Sequence, residues 1–211
     1  MPTKKPDIAA SALIIVDMQN DFVSHGGYFD RLAKAHPEIG FDMEFLVSIV
    51  PDLRKLSTAF RAAGRPVVYI RHALAPDYSD ACFPYWKLPL DPVQNRFVVE
   101  GTWGARIVDE LTPEKNDSVV VKKGYDGFYN TPLESILSAL GINTCIVTGV
   151  STRVCVSTTI RSGVERKFNM TVVRDCTAAP HRSAHESEMV TLSWAYAEIK
   201  TAHEAINMLG Q

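Results

Sequence analysis

Thr144–Val156 reads TCIVTGVSTRVCV. Its first half is a short β-branched apolar run ending at Gly149, and its second half passes without a linker into helix-period sequence. A continuous rather than alternating apolar run belongs to a strand covered on both faces, which is the condition of a parallel sheet packed between helices. Runs of the same kind recur outward from it: Ala12–Asp17 (ALIIVD), Pro66–Arg71 (PVVYIR), Ser118–Lys122 (SVVVK), Asn169–Val173 (NMTVV) and Ala197–Ile199. Between them the periodicity predicts helices over 42–63, 104–111, 132–140, 153–167, 182–194 and 201–209. Strand and helix alternate from end to end, so the chain reads as a wound α/β domain.

Punctuation supports these boundaries. Thr131 followed by Pro132, with Glu134 three residues after Thr131, reads as a capped helix start with a capping box. Gly64, Gly141 and Gly163 fall at or near helix ends, where a left-handed residue often closes the last turn. The irregular stretch 73–102 holds Pro76, Pro84, Pro89 and Pro92 among aromatics. A loop of that length is commonly functional, and it is expected to cover a site or meet a neighbouring subunit.

With 211 residues and no linker-like stretch, one domain over 1–211 is the economical reading. The 22 Lys and Arg nearly balance 24 Asp and Glu without a block of like charge, which argues against nucleic acid or an anionic membrane as partner. The apolar run after the N-terminal lysines is too short for a signal peptide, and no stretch suits a transmembrane span. Cys82, Cys145, Cys155 and Cys176 lack CxxC spacing, so a reducing, cytoplasmic setting is expected.

In an open parallel sheet, ligands bind beyond the carboxyl ends of the strands. Asp17 ends the first strand, Lys122 the third, and Cys155 lies just past the fourth. A thiol in a first helical turn is expected to be acidified by the helix dipole and by a nearby ammonium. Asp17 is then placed to take and return a proton, and backbone N–H groups from 152 to 155 to bind an oxyanion. Each residue alone has a plainer reading: a turn aspartate, a solvated lysine, a core cysteine. Their convergence on one sheet edge favours chemistry. Cys145 and Cys176 read as core.

The stretches LIIVDMQNDF, VKKGYDGFYNTPLESIL and TGVSTRVCVSTTIRSG resemble, in that order, three signature segments of the isochorismatase-like cysteine hydrolases. The resemblance implies a Rossmann-like three-layer sandwich with a six-stranded parallel sheet flanked by helices, and Asp17, Lys122 and Cys155 as a triad. It implies a cis peptide at Val150–Ser151, with Val150, Ser151 and Thr152 shaping the oxyanion site. Lys122 rather than Lys123 is assigned because the family lysine stands six residues before the aromatic that opens FYNT, here Phe128. Nicotinamidases carry an Asp-x-His pair and a further histidine for a metal after the second strand. This chain reads RHALAPDYSDA there, so no metal and no cofactor are expected. The segment EGTWGARIVDEL followed by GFYNTPL is most similar to the ureidoacrylate, biuret and N-carbamoylsarcosine branch. By position Phe22, His72 and Tyr125 match residues that contact substrate in ureidoacrylate hydrolase, with His72 standing where asparagine is expected.

The leading expectation is thus a cysteine-dependent amidohydrolase that cleaves a small linear amide or ureido substrate through a thioester. Relatives of this kind imply a homodimer or homotetramer. Other readings remain open: an inactive binding or assembly protein on the same fold, an aromatic-amide hydrolase whose substrate is held by Trp86 and Phe128, or a vinyl-ether hydrolase.

Overall fold

The computed structural model describes residues 7–210. Six parallel strands form one sheet: β1 (Ser11–Val16), β2 (Val67–His72), β3 (Ser118–Lys122), β4 (Thr144–Val150), β5 (Asn169–Ala178) and β6 (Glu198–Lys200). Their order across the sheet is β3-β2-β1-β4-β5-β6. The order reverses between β1 and β4, which leaves a crevice at the carboxyl ends of those two strands.

The continuous apolarity of the strands has a direct cause. In β1, Leu13 and Ile15 enter one buried cluster while Ala12, Ile14 and Val16 enter another, because successive side chains point to opposite faces. The first cluster packs against α4 (Val50–Ala62) through Leu53, Leu56 and Phe60, and against α8 (Ala202–Met208) through Ala202 and Ala205. The second packs against α5 (Leu133–Ala139), α6 (Ser157–Glu165) and α7 (Arg182–Ala195). Each fully buried Leu, Ile or Phe contributes roughly 1.5–3 kcal/mol, so a charge at Ile14 would break both the layer and the pattern that sets it.

Several predicted elements are corrected. The helix expected over 42–63 is two helices, α3 (Met43–Ser48) and α4, separated at Ile49. Pro51 in the first turn of α4 has no N–H to continue the α3 ladder, and Asp42 caps α3 by accepting from Phe45 N at 2.8 Å. The helix expected over 104–111 is replaced by turns ending in a short 3-10 segment at Asp109–Leu111. Its backbone is engaged elsewhere: Gly104 O and Arg106 O accept from Asp21 N and Asn20 N, and Val108 N donates to Met18 O. Two short helices escaped the sequence reading, α1 (Asn20–Val23) and α2 (Tyr28–Ala35). They are held by the buried carboxylate of Asp21, which accepts from Tyr28 N and Val98 N.

At α5 the Thr131 hydroxyl does accept from Leu133 N, at 3.3 Å, but no capping box forms: Glu134 instead pairs with Arg166. A capping box does form at Thr201 and Glu204, at the start of α8. Gly163 lies inside α6 and is small for packing, since a Cβ there would meet Met170 Sδ at 2.7 Å. Gly64 and Gly141 do take positive φ at their helix ends.

Candidate active site

The four strands β1 to β4 each deliver one group to the same crevice. Asp17 follows β1 with φ 51°, a left-handed turn fixed by its N–H donating to Ile70 O. His72 and Lys122 close β2 and β3 and are direct partners in the sheet register. Alternation then separates the two lysines: Lys122 enters the crevice, while Lys123 pairs with Asp80. Beyond β4, Gly149 sits at a register break with φ 100°, and a Cβ there would lie 2.0 Å from Val16 O. Only glycine fits so close a crossing, and it directs Val150 and Ser151 over the end of β1. The Val150–Ser151 peptide is cis. A π-turn over Thr152–Val156 follows and runs into α6, carrying Cys155 inward. The helix predicted to begin at Arg153 therefore starts as this wider turn.

The Lys122 ammonium is the hub. Its Nζ stands 2.8 Å from Asp17 Oδ2, 2.6 Å from His72 Nε2, 3.3 Å from Cys155 Sγ and 3.0 Å from Gly124 O. His72 Nε2 is 3.8 Å from both Cys155 Sγ and Asp17 Oδ2. All four residues are buried. Donor atoms of Asp17, His72 and Cys155 lie within 4.8 Å of one another, the spacing of a metal-ligand set. The ammonium already in contact with all three is the cation they share.

Burial governs the titrations. It pushes the Asp17 carboxyl up, against the opposing pull of the Lys122 ammonium. It pushes the Cys155 thiol up strongly, with Lys122 opposing and the Asp17 charge reinforcing. It holds His72 well below its ordinary 6.5, helped by the charges of Lys122 and Lys123, so the imidazole is neutral and its Nε2 accepts from the ammonium. The thiol acidified by a helix N-terminus, expected from sequence, is thus corrected. One ammonium balances one anion, so carboxyl and thiol share a single proton, and ionising both is what burial penalises. The range of oxyanion donors narrows as well, because Val154 N is spent on Ser151 O.

A cavity of about 390 Å³ opens beside Cys155 and is lined by Phe22, His72, Phe83, Tyr125 and Ser151 among others. The 73–102 stretch supplies part of its wall through Phe83, Leu88, Pro89 and Phe97. Two residues expected at the substrate are elsewhere. Trp86 is 71% exposed, turned outward against Tyr85. Phe128 is buried in the core against Phe168, under the Arg166 guanidinium. Sequence reading also missed three residues. Gln19 clamps His72 by accepting from its N–H and donating to its C=O, both at 2.8 Å. His185 is bonded to the Thr152 hydroxyl at 2.9 Å. Arg153 lines the cavity. A glutamine two residues after the strand-end aspartate was a signal for the first; the others depend on tertiary contacts no local pattern carries.

Residues 11–204 match the isochorismatase domain, and the chain belongs to that family. Within it, the chain is 41% identical over 182 residues to the ureidoacrylate amidohydrolase RutB of Methylorubrum extorquens, covering 81% of this chain and 71% of that one. It is 38% identical to the protein of the same name from Yersinia enterocolitica, covering 80% and 75%. A cysteine hydrolase from Pseudomonas syringae pv. phaseolicola superposes with a TM-score of 0.85 at 28% identity, over 98% of this chain and 95% of that one. N-carbamoylsarcosine amidase from Thermoplasma acidophilum gives 0.70 at 28% identity, over 91% and 96%.

Proposed function

We propose that Cys155 is the nucleophile, Asp17 the proton shuttle and Lys122 the charge-balancing cation of an amidohydrolase that needs no metal. The chain is a hydrolase of linear amides, acting on C–N bonds other than peptide bonds. The observation that carries the assignment is the Lys122 ammonium in contact with Asp17, His72 and Cys155 at once in a buried crevice.

As the Cys155 sulfur attacks the substrate carbonyl, its proton passes to Asp17 and a C–S bond forms. Net charge in the crevice is unchanged by that transfer, which is why a high thiol pKa is compatible with attack. The backbone amides of Thr152 and Cys155 hold the oxyanion, and collapse breaks the C–N bond while Asp17 protonates the departing ammonia or amine. Water then adds to the thioester, Asp17 takes its proton, and the C–S bond breaks to return the thiol. The neutral His72 keeps the ammonium aimed at the sulfur without adding charge. Phe22 and Tyr125 flank the substrate.

The small-molecule substrate is an amide or ureido compound, with ureidoacrylate the first candidate from the named relatives. Four unpaired cysteines suit a cytoplasmic setting. Among the described residues no helix is long and apolar enough to cross a membrane. A homodimer or homotetramer completes the proposal, with light scattering as its check. The test of the chemistry is ammonia release from ureidoacrylate, biuret, carbamoyl amino acids and simple amides by the wild type and Cys155→Ala. Turnover that persists in Cys155→Ala would overturn the assignment.

A further inference from the structure

The cavity beside Cys155 is large and greasy for a substrate as small and polar as ureidoacrylate. At about 390 Å³ it falls in the range of about 300–1,000 Å³ that drug-sized ligands fill. Phe22, Phe29, Phe83 and Phe97 form its aromatic wall, with Phe29 and Phe97 both edge-on to Phe22 at 5.1 and 5.3 Å. Leu32 and Ile39 add to the apolar surface. A short charged acid would leave these rings facing water or an empty space, and neither outcome gains from their burial.

Polar groups on the wall are few, and three of them, Ser151, Arg153 and Cys155, come from the one turn that follows β4. The Ser151 hydroxyl and His72 Nδ1 are buried with no hydrogen-bond partner among the described residues. They suit a carbamoyl or carboxamide head. Arg153, two residues before Cys155, is exposed at the cavity edge. Nearby Arg161 and Arg166 are paired with Glu188 and Glu134, whereas no carboxylate among the described residues holds Arg153. A guanidinium in that place is matched to a carboxylate a few bonds from the reacting carbonyl.

Resting on the amidohydrolase reading, we infer that the preferred substrate is a ureido or amide acid bearing a ring-sized apolar group, with its carboxylate on Arg153 and its ring against the Phe22, Phe83 and Phe97 wall. An N-carbamoyl α-amino acid with an aromatic side chain has these three parts on one short frame. The head meets Cys155, the carboxylate branches to Arg153, and the side chain enters the cavity.

The test separates binding from turnover. Calorimetry on Cys155→Ala is expected to show N-carbamoylphenylalanine binding about tenfold or more tighter than N-carbamoylglycine, from burial of the ring. It should also bind about tenfold tighter than phenethylurea, which has the same head and ring without the carboxylate. Arg153→Gln in the Cys155→Ala background should erase the second preference and leave the first. Equal binding of the phenylalanine and glycine derivatives overturns the inference. So does a carboxylate preference that survives Arg153→Gln. Ammonia release by the wild type then reports on the underlying reading by itself: Cys155-dependent turnover of ureidoacrylate with no ring preference in binding keeps the amidohydrolase and removes this substrate class. A ring preference in binding with no Cys155-dependent turnover of any substrate does the reverse.

Discussion

An ion pair stands at each end of strand β3, half-buried at the amino end and fully buried at the carboxyl end, and the two are built differently. At its amino end Asp117 is met by Arg61 through Nε and Nη2, the latter at 2.6 Å, and also accepts from Glu114 N at 2.7 Å. Arg61 gives a further bond to the Tyr69 hydroxyl. At its carboxyl end Lys122 meets Asp17 at 2.8 Å, yet His72 Nδ1 and Ser151 Oγ next to that pair have no partner. A pair whose every atom is satisfied is a brace. A pair surrounded by unsatisfied buried atoms costs stability and is retained where those atoms meet a ligand.

Substitutions at the two ends should therefore separate stability from activity. Cys155→Ala is expected to lower kcat/KM by about 10³-fold or more in an ammonia-release assay, with little change in unfolding free energy. Lys122→Ala should abolish turnover and also cost about 3–5 kcal/mol, because Asp17 is left as an uncompensated buried carboxylate. Asp117→Ala should cost about 1.5–3 kcal/mol in urea unfolding while the folded enzyme keeps its kcat/KM. A turnover loss in Asp117→Ala as large as that in Lys122→Ala would remove the distinction.

Asp17→Asn sharpens the same contrast from the other side. With the carboxylate gone, the Lys122 ammonium has only the thiol left to balance it, so the thiolate becomes the favoured partner. Turnover should fall by about 10²-fold or more for want of a proton shuttle. Iodoacetamide labelling of Cys155 at neutral pH should at the same time become faster than in the wild type. Slower labelling would mean that Asp17 does not share its proton with the sulfur.

Much of this was legible because it depends on local pattern. The apolar runs of β1 to β5 and the polar residue ending each of β1 and β3 are visible in sequence, since a sheet covered on both faces tolerates little else. The turn after β4 was legible as a strand-to-helix passage. What sequence could not carry was environment. The dipole argument for Cys155 was sound in isolation, but complete burial of the sulfur beside Asp17 outweighs it. Trp86 and Phe128 are both aromatic and close in sequence to site elements, yet one faces solvent and the other the core. The helix expected over 104–111 failed because its carbonyls are bonded to residues 20 and 21, more than eighty positions earlier.

Acid should reveal the unsatisfied end through His72. His72 is held well below 6.5 in the fold, first by burial and then by Lys122, so the folded protein resists a proton the unfolded chain accepts. Its stabilising effect is complete above about pH 6.5 and is lost as pH falls from there toward the folded value, with a slope of at most about 1.4 kcal/mol per pH unit. His185 is shifted the same way by burial and adds a similar limb. Asp17 acts in the opposite sense, since its raised carboxyl favours the fold at pH below its folded value. Urea unfolding at pH 7.5 and 5.5 should show a smaller acid loss for His72→Asn than for the wild type. An unchanged loss would assign the whole limb to His185.

The smallest effect tests whether satisfaction, rather than charge, defines the brace. Glu114 Oε1 lies 3.1 Å from Arg61 Nη1, but its side chain is 66% exposed. Water screens that pair and competes for both partners, so Glu114→Gln should change the unfolding free energy by no more than about 0.5 kcal/mol. Its backbone N–H, which supports Asp117, is untouched by the substitution. A loss approaching that of Asp117→Ala would show that net charge near Arg61 matters more than the closed set of hydrogen bonds around Asp117. The contrast between the two ends of β3 would then rest on electrostatics alone.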